Sequence, residues 1–212
     1  MSDVSIIDYG ASNMLSLYRS VAKAGGKPVV LSDPSKLSNA ERVIIPGVGA
    51  FKTCSDAFTS MGWKYALADY LTCERPLLGV CVGMQLMFDF SLEFGRHPGL
   101  GLFSGHVERI PNFSESRGRR VPHVGWSTLH KPANRTDWAG TLLQDTVVGQ
   151  DSVYFVHSFA CQPSDPACKL AVVDYHGFEI CAAVESDNIT AFQFHPEKSG
   201  EVGLRMLSRF LG

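Results

Sequence analysis

Apolar residues in the first half of the chain fall into short, nearly continuous runs separated by stretches with helical spacing. Runs at 4–8, 29–31, 42–45 and 77–80 predict strands. A helical pattern covers 13–24 and stops at Gly25-Gly26, and a second helical region holds Trp63, Leu67 and Leu71. Asp33-Pro34 marks a turn, and the third strand ends in the tight segment Pro46-Gly47-Val48-Gly49. Strands that are apolar throughout and joined by helices require a sheet covered on both faces. The expected fold is therefore α/β, a doubly wound, mostly parallel central sheet flanked by helices.

The second half is richer in short strands, predicted at 105–110, 153–159, 170–175, 178–184 and 190–194, with His176-Gly177 as a tight hairpin turn. Residues 201–211 carry apolar positions spaced for one helix face. The polar stretch 112–120 reads as a solvated loop. No internal repeat or long linker divides the chain, so 1–212 is expected to be one domain with a smaller antiparallel addition.

Composition narrows the function classes. With 45% hydrophobic and 19% charged residues, the chain is not intrinsically disordered. Nineteen basic against 21 acidic side chains, net −2, give no electrostatic footprint for nucleic acid or an anionic membrane. The longest nearly apolar run, 76–88, is too short to span a bilayer. The N-terminus lacks the pattern of a secretory leader, so a cytoplasmic location is expected, with the six cysteines reduced. No C-x-x-C pair or H-E-x-x-H occurs, and the histidines do not cluster at ligand spacing, so neither metal nor cofactor is expected. Gly47-Val48-Gly49 has Lys52 where a dinucleotide fingerprint needs its third glycine, and Gly26-Lys27-Pro28 is no Walker loop.

One segment carries chemistry. In Gly79-Val80-Cys81-Val82-Gly83 a strand runs straight into Cys81 and helix-forming residues follow, the nucleophile-elbow pattern with cysteine as nucleophile. The turn strains the nucleophile, and side chains at the flanking positions would collide with neighbouring backbone. Sulfur then sits at a helix start that favours thiolate, and the Val82 amide points where an oxyanion would form. A base and its orienter are offered by His195-Pro196-Glu197. Proline keeps His195 extended, so His195 and Glu197, two apart, fall on one side.

An elbow cysteine followed far downstream by His-Pro-Glu resembles the class I (triad) glutamine amidotransferases. Within them the chain is similar to the glutaminase subunits of imidazole glycerol phosphate synthase. The resemblance runs from Ile7-Asp8-Tyr9-Gly10 with Asn13, through Ile45-Pro46-Gly47-Val48-Gly49-Ala50-Phe51 and the elbow, to Pro122-His123-Val124-Gly125-Trp126. It continues in Tyr154-Phe155-Val156-His157-Ser158 and in Gln193-Phe194-His195-Pro196-Glu197-Lys198-Ser199-Gly200.

The resemblance implies a flavodoxin-like amidotransferase fold. Cys81 would attack the glutamine side-chain amide, with His195 as base and then acid, and Glu197 as orienter. The Val48 amide would join that of Val82 as oxyanion donor. Gly47, Gln85, Glu93, Ser158 and Phe159 would hold the substrate. Asn13 and Trp126 would lie near the interface with a cyclase subunit, a (β/α)8 barrel that receives ammonia through an internal channel in a heterodimer. Two residues depart from the pattern in segments associated with the partner: Ser12 replaces a glycine, and Ser127 stands where asparagine is common.

Three other readings stay open on sequence alone: the same glutaminase feeding another synthase, as in sugar amidination; an inactive regulatory module; and a cysteine hydrolase of the wider elbow group. The two glycines beside Val48 also let its peptide rotate at little steric cost, so that turn could switch between presenting a carbonyl and an amide.

Overall fold

The computed structural model describes residues 3–11, 13–111 and 120–212. Ser12 and residues 112–119, hence nearly all of the polar stretch 112–120, lie outside them. The first half contains β1 (Asp3–Ile7), α1 (Met14–Lys23), β2 (Lys27–Leu31), β3 (Val43–Ile45), α2 (Phe51–Ser60), α3 (Trp63–Leu71), β4 (Leu77–Val80) and α4 (Val82–Leu86). Then come β5 (Phe88–Ser91), β6 (His97–Pro98), β7 (Phe103–Arg109), β8 (His123–Thr128), β9 (Ser152–His157) and β10 (Phe159–Pro163). The chain closes with β11 (Lys169–Asp174), β12 (Glu179–Ser186), β13 (Ile189–Phe192) and α5 (Gly200–Leu211).

The central sheet has seven strands in the order β11-β12-β13-β4-β3-β1-β2. The five from β13 to β2 are parallel; β12 and β11 extend it antiparallel. Every residue of β3 and β4 is buried, as expected of apolar strands covered on both faces. Helix α1 packs with α5, and α2 packs with α3 and α4. A four-stranded sheet, β10-β7-β5-β6, and the ribbon β8-β9 form the smaller addition; one pair in it, β5-β7, is parallel.

Several boundaries differ from the sequence expectation for identifiable reasons. The helical region after β3 is two helices, because Gly62 at φ +86° ends one and begins the next. The strand expected at 153–159 breaks at Ser158 into β9 and β10, which pair with different strands. The apolar run 76–88 bends at Cys81 from β4 into α4 as expected, but the helix is only five residues long and the chain continues as β5, which the sequence pattern does not predict. The hairpin at His176-Gly177 forms as predicted. Both residues have positive φ, and Tyr175 and Phe178 exchange backbone hydrogen bonds of 2.8 and 3.2 Å.

The C-terminal ends of β1, β3, β4 and β13 open on one edge of the sheet, where open α/β folds bind ligands. The last of these loops is held by α5. A Cβ on Gly203 would lie 1.9 Å from the Pro196 carbonyl oxygen, between the two residues expected to serve as base and orienter. Gly203→Ala should therefore destabilise the fold by roughly 1–3 kcal/mol, read as a lower urea midpoint at unchanged slope. An unaltered midpoint would mean that α5 does not hold this loop.

Candidate active site

Cys81 sits at the junction of β4 and α4 with φ +55° and ψ −111°, a conformation that costs a non-glycine residue on the order of 1–3 kcal/mol. Its amide is fixed to the Phe192 carbonyl at 2.7 Å, and its carbonyl accepts from the Gln85 amide at 3.2 Å. The flanking glycines are not equivalent. A Cβ on Gly83 would come within 1.9 Å of the Ile45 carbonyl oxygen, whereas one on Gly79 would meet the movable Met87 side chain at 2.8 Å. Backbone contact makes Gly83 the stricter requirement.

His195 is extended, at φ −99° and ψ 99°, but Pro196–Lys198 form a 3-10 turn. Strand alternation is therefore not what brings His195 and Glu197 together; the turn folds the carboxylate back onto the ring. His195 Nδ1 and Glu197 Oε1 are 2.7 Å apart and both side chains are buried. The carboxylate only accepts, so Nδ1 carries a proton and Nε2 is the nitrogen turned away from Glu197. Burial disfavours the imidazolium, but Cys81 and Glu197 close by outweigh it and raise the His195 pKa to about 10. Ser199 braces His195: its hydroxyl donates to the His195 carbonyl at 2.6 Å and accepts from the Tyr154 amide at 3.0 Å. The His195 amide in turn donates to the Tyr154 carbonyl at 3.0 Å.

The turn after β3 lies against the elbow. A Cβ on Gly47 would meet Tyr9 Oη at 2.6 Å and the Gly83 nitrogen at 2.8 Å, so only glycine fits. The two amides expected to face an oxyanion are both engaged in this arrangement. Val82 N–H donates to the Gly47 carbonyl at 3.3 Å, and Val48 N–H points the other way, to the Ala11 carbonyl at 2.9 Å. The neighbouring peptides are clamped by side chains: Tyr9 Oη donates to the Pro46 carbonyl at 2.6 Å, and Cys54 Sγ to the Val48 carbonyl at 3.5 Å. Burial raises the pKa of Tyr9 well above its ordinary value and that of Cys54 to about 11, so both stay protonated donors.

A cleft of about 300 Å³ brings together Cys81, His195, Gln85, Glu93, Ser158 and Phe159, with Val48 and Val82 at one side. Glu197 stands behind His195, and Gly47 lies beneath the lining. Glu93 also serves the fold, accepting from the Phe51 amide at the start of α2 at 2.6 Å. Asn13 and Trp126 lie outside the cleft and exposed, Trp126 on the outer face of β8 beside the exposed Val124 and Val156. Ser127 faces inward and hydrogen-bonds His123, so this departure does not belong to the outer face. Among the described residues, no group of three or more His, Cys, Asp or Glu side chains could hold a metal ion.

Sequence reasoning passed over three buried polar residues at the site. Gln193 Nε2 lies 3.9 Å from Cys81 Sγ, His157 lines the cleft, and His123 stands behind His157. Their one signal is a polar residue at a buried position within an otherwise apolar strand or strand end.

The family model described as glutamine amidotransferase class-I matches residues 5–211. The chain is a class I glutamine amidotransferase. This amidotransferase is 40% identical over 212 residues to imidazole glycerol phosphate synthase subunit HisH 1 of Legionella pneumophila (strain Lens), covering 100% of this chain and 99% of that one. It is 42% identical to the HisH subunit of Geobacter metallireducens, covering 99% and 98%. It is also 41% identical to the chloroplastic hisHF protein of Arabidopsis thaliana, covering 99% of this chain but 34% of that longer one. Among solved structures, PurLQS of Thermotoga maritima shares the fold, with a TM-score of 0.71 at 21% identity over 99% of this chain and 97% of that one.

The His195–Glu197 pair has a pH consequence. The folded-state pKa of His195, about 10, lies above its ordinary value of 6.5. The bound proton therefore stabilises the fold fully below about pH 6.5, and this contribution fades as pH rises through about 10. In Glu197→Gln the His195 ring should titrate at lower pH, followed by NMR, and the alkaline loss of stability should begin earlier. An unmoved His195 titration would remove Glu197 as the partner of the ring.

Proposed function

We propose that this amidotransferase is the glutaminase subunit of an imidazole glycerol phosphate synthase, a single cytoplasmic domain that hydrolyses glutamine and passes ammonia to a cyclase subunit. The observation that carries this reading is the meeting of a strained elbow cysteine with a buried His–Glu pair in one cleft, in a chain whose full-length relatives are HisH subunits. The relation to the Arabidopsis hisHF protein, of which this chain matches only a third, supports a cyclase as the partner.

In the proposed mechanism, His195 Nε2 holds the proton taken from the Cys81 thiol, and Sγ attacks the carboxamide carbon of glutamine. His195 then gives that proton to the leaving nitrogen, which departs as ammonia and leaves a γ-glutamyl thioester. Water, deprotonated by His195, attacks the thioester and releases glutamate, with the proton returning to sulfur. Glu197 holds the ring in the tautomer that keeps Nε2 on the reacting side and stabilises the imidazolium. Glu93 offers a carboxylate for the substrate ammonium, and Gly47, Gln85, Ser158 and Phe159 complete the glutamine site.

The oxyanion site has a resting form. The Gly47 carbonyl occupies the Val82 amide, and the Val48 amide faces away. Rotation of the single Gly47–Val48 peptide would free the Val82 amide and bring in the Val48 amide as a second donor. Such a donor is worth ~10²–10³-fold in rate. We assign the trigger to a (β/α)8 cyclase docked, as a heterodimer, on the face that carries Trp126, Val124 and Val156 and near Asn13.

Cys81→Ala should abolish glutamine-dependent synthesis by the complex while synthesis from added ammonia persists, because the cyclase needs only ammonia. Glutamine-dependent turnover within roughly tenfold of the parent would exclude Cys81 as nucleophile. A second measurement addresses the resting form: glutamine hydrolysis at saturating substrate by the isolated chain, by the complex, and by the complex with cyclase substrate. The isolated chain should be slower than the loaded complex by roughly tenfold or more. Equal rates would leave the peptide rotation without a role.

A further inference from the structure

His123 and His157 face each other across β8 and β9, both buried, and the proposed mechanism uses neither. Their hydrogen bonds admit one arrangement of protons. His157 Nδ1 lies 2.8 Å from the Phe159 carbonyl, which only accepts, so Nδ1 carries a hydrogen. Burial holds both rings neutral, pushing His157 to about 3 and His123 to about 4. His157 Nε2 is then bare and accepts from His123 Nδ1 at 3.0 Å. His123 Nε2 is bare in turn and accepts from the Ser127 hydroxyl at 2.9 Å.

The inner end of this chain is the junction. The Phe159 carbonyl also receives Gln85 Nε2 at 3.0 Å. The same Gln85 nitrogen donates to Gln193 Oε1 at 3.1 Å, and Gln193 Nε2 reaches Cys81 Sγ at 3.9 Å. With both amide hydrogens committed, the Gln85 amide has a single orientation. Six hydrogen bonds thus run unbroken from Ser127 on the ribbon to the nucleophile. His123 is further fixed by stacking on Phe155, with ring centroids 4.7 Å apart, and by a tilted ring contact with Tyr175, at 4.0 Å.

We propose that His123 and His157, with Ser127 as outer donor, are positioning residues for glutamine binding: they hold the Phe159 carbonyl, and through it the Gln85 amide, in the orientation the cleft presents to substrate. This rests on the glutaminase reading.

The test uses the full chain with its cyclase partner and three variants. His123→Phe keeps the stacking and removes both ring nitrogens; Ser127→Ala removes the outer donor; Ser127→Asn returns one. Breaking the chain should raise the KM for glutamine more than it lowers kcat, by about tenfold in His123→Phe, the equivalent of one hydrogen bond. Ser127→Ala should shift KM in the same direction and Ser127→Asn should restore it. Alkylation of Cys81 by iodoacetamide, which needs no glutamine site, should stay within about twofold of the parent. Nitrogen-15 NMR of the parent chain should find both rings neutral with the hydrogen on Nδ1.

An unchanged KM in a folded His123→Phe, alkylation falling in step with turnover, or the opposite tautomer in either ring would overturn the proposal. If His123→Phe does not fold, the two Ser127 variants decide it. A parent complex that hydrolyses no glutamine would instead overturn the glutaminase reading, and the tautomers would still decide whether the chain exists.

Discussion

A side chain at residue 83 would collide with the Ile45 carbonyl, and the active site is arranged around that contact. Gly83 lets the first turn of α4 press against the end of β3, and Gly47 lets the following turn press back against Gly83 and Tyr9. Two stretches of bare backbone therefore meet beside Cys81. The sharp bend at the cysteine, the hydrogen bond between Gly47 and Val82, and the depth of the cleft all follow from this approach. At the other wall, Gly203 does the same for the loop that carries His195, where α5 touches Pro196 with no side chain between them.

Much of this was legible in the sequence, and for a physical reason. Nearly continuous apolar runs mark strands buried on both faces, so β1, β3 and β4 declared themselves, and two glycines around a cysteine at a strand end declared the bend. The His195–Glu197 pair was legible by spacing, although the 3-10 turn that brings them together was not. The short strands β5 and β6 carry too few residues for a period to register, and β8 hides its period because its inward positions include the polar His123 and Ser127. The break at Ser158 depends on which strands β9 and β10 find as partners. The substrate positions came from family resemblance. The state of the oxyanion turn was beyond sequence reading, because it is a matter of which backbone groups pair.

The ribbon β8-β9 links the two halves of the proposed function. Its outer face presents Val124, Trp126 and Val156 to solvent, and its inner face carries His123, Ser127, Phe155 and His157. Alternation along two paired strands thus gives one thin element an apolar outer side, whose Val156 also borders the cleft, and an inner side that reaches the cleft through His157. The backbone of Tyr154, in the same ribbon, also holds His195. Pressure on the outer face and the placement of His195 are therefore properties of one piece of backbone.

The two backbone hydrogen bonds that hold the Gly47–Val48 peptide set a leak. Each is worth about 0.5–1.5 kcal/mol net, so together they favour the resting orientation by about 1–3 kcal/mol. At that bias roughly 0.6–15% of unpartnered molecules carry the rotated peptide at any moment. The contrast between idle and engaged enzyme is then limited by this minor population as well as by the full worth of an oxyanion donor. In the proposed mechanism, a single peptide plane held by backbone alone makes a reversible and incompletely closed valve on glutamine consumption, whose tightness would change with any contact that favours one of its two orientations.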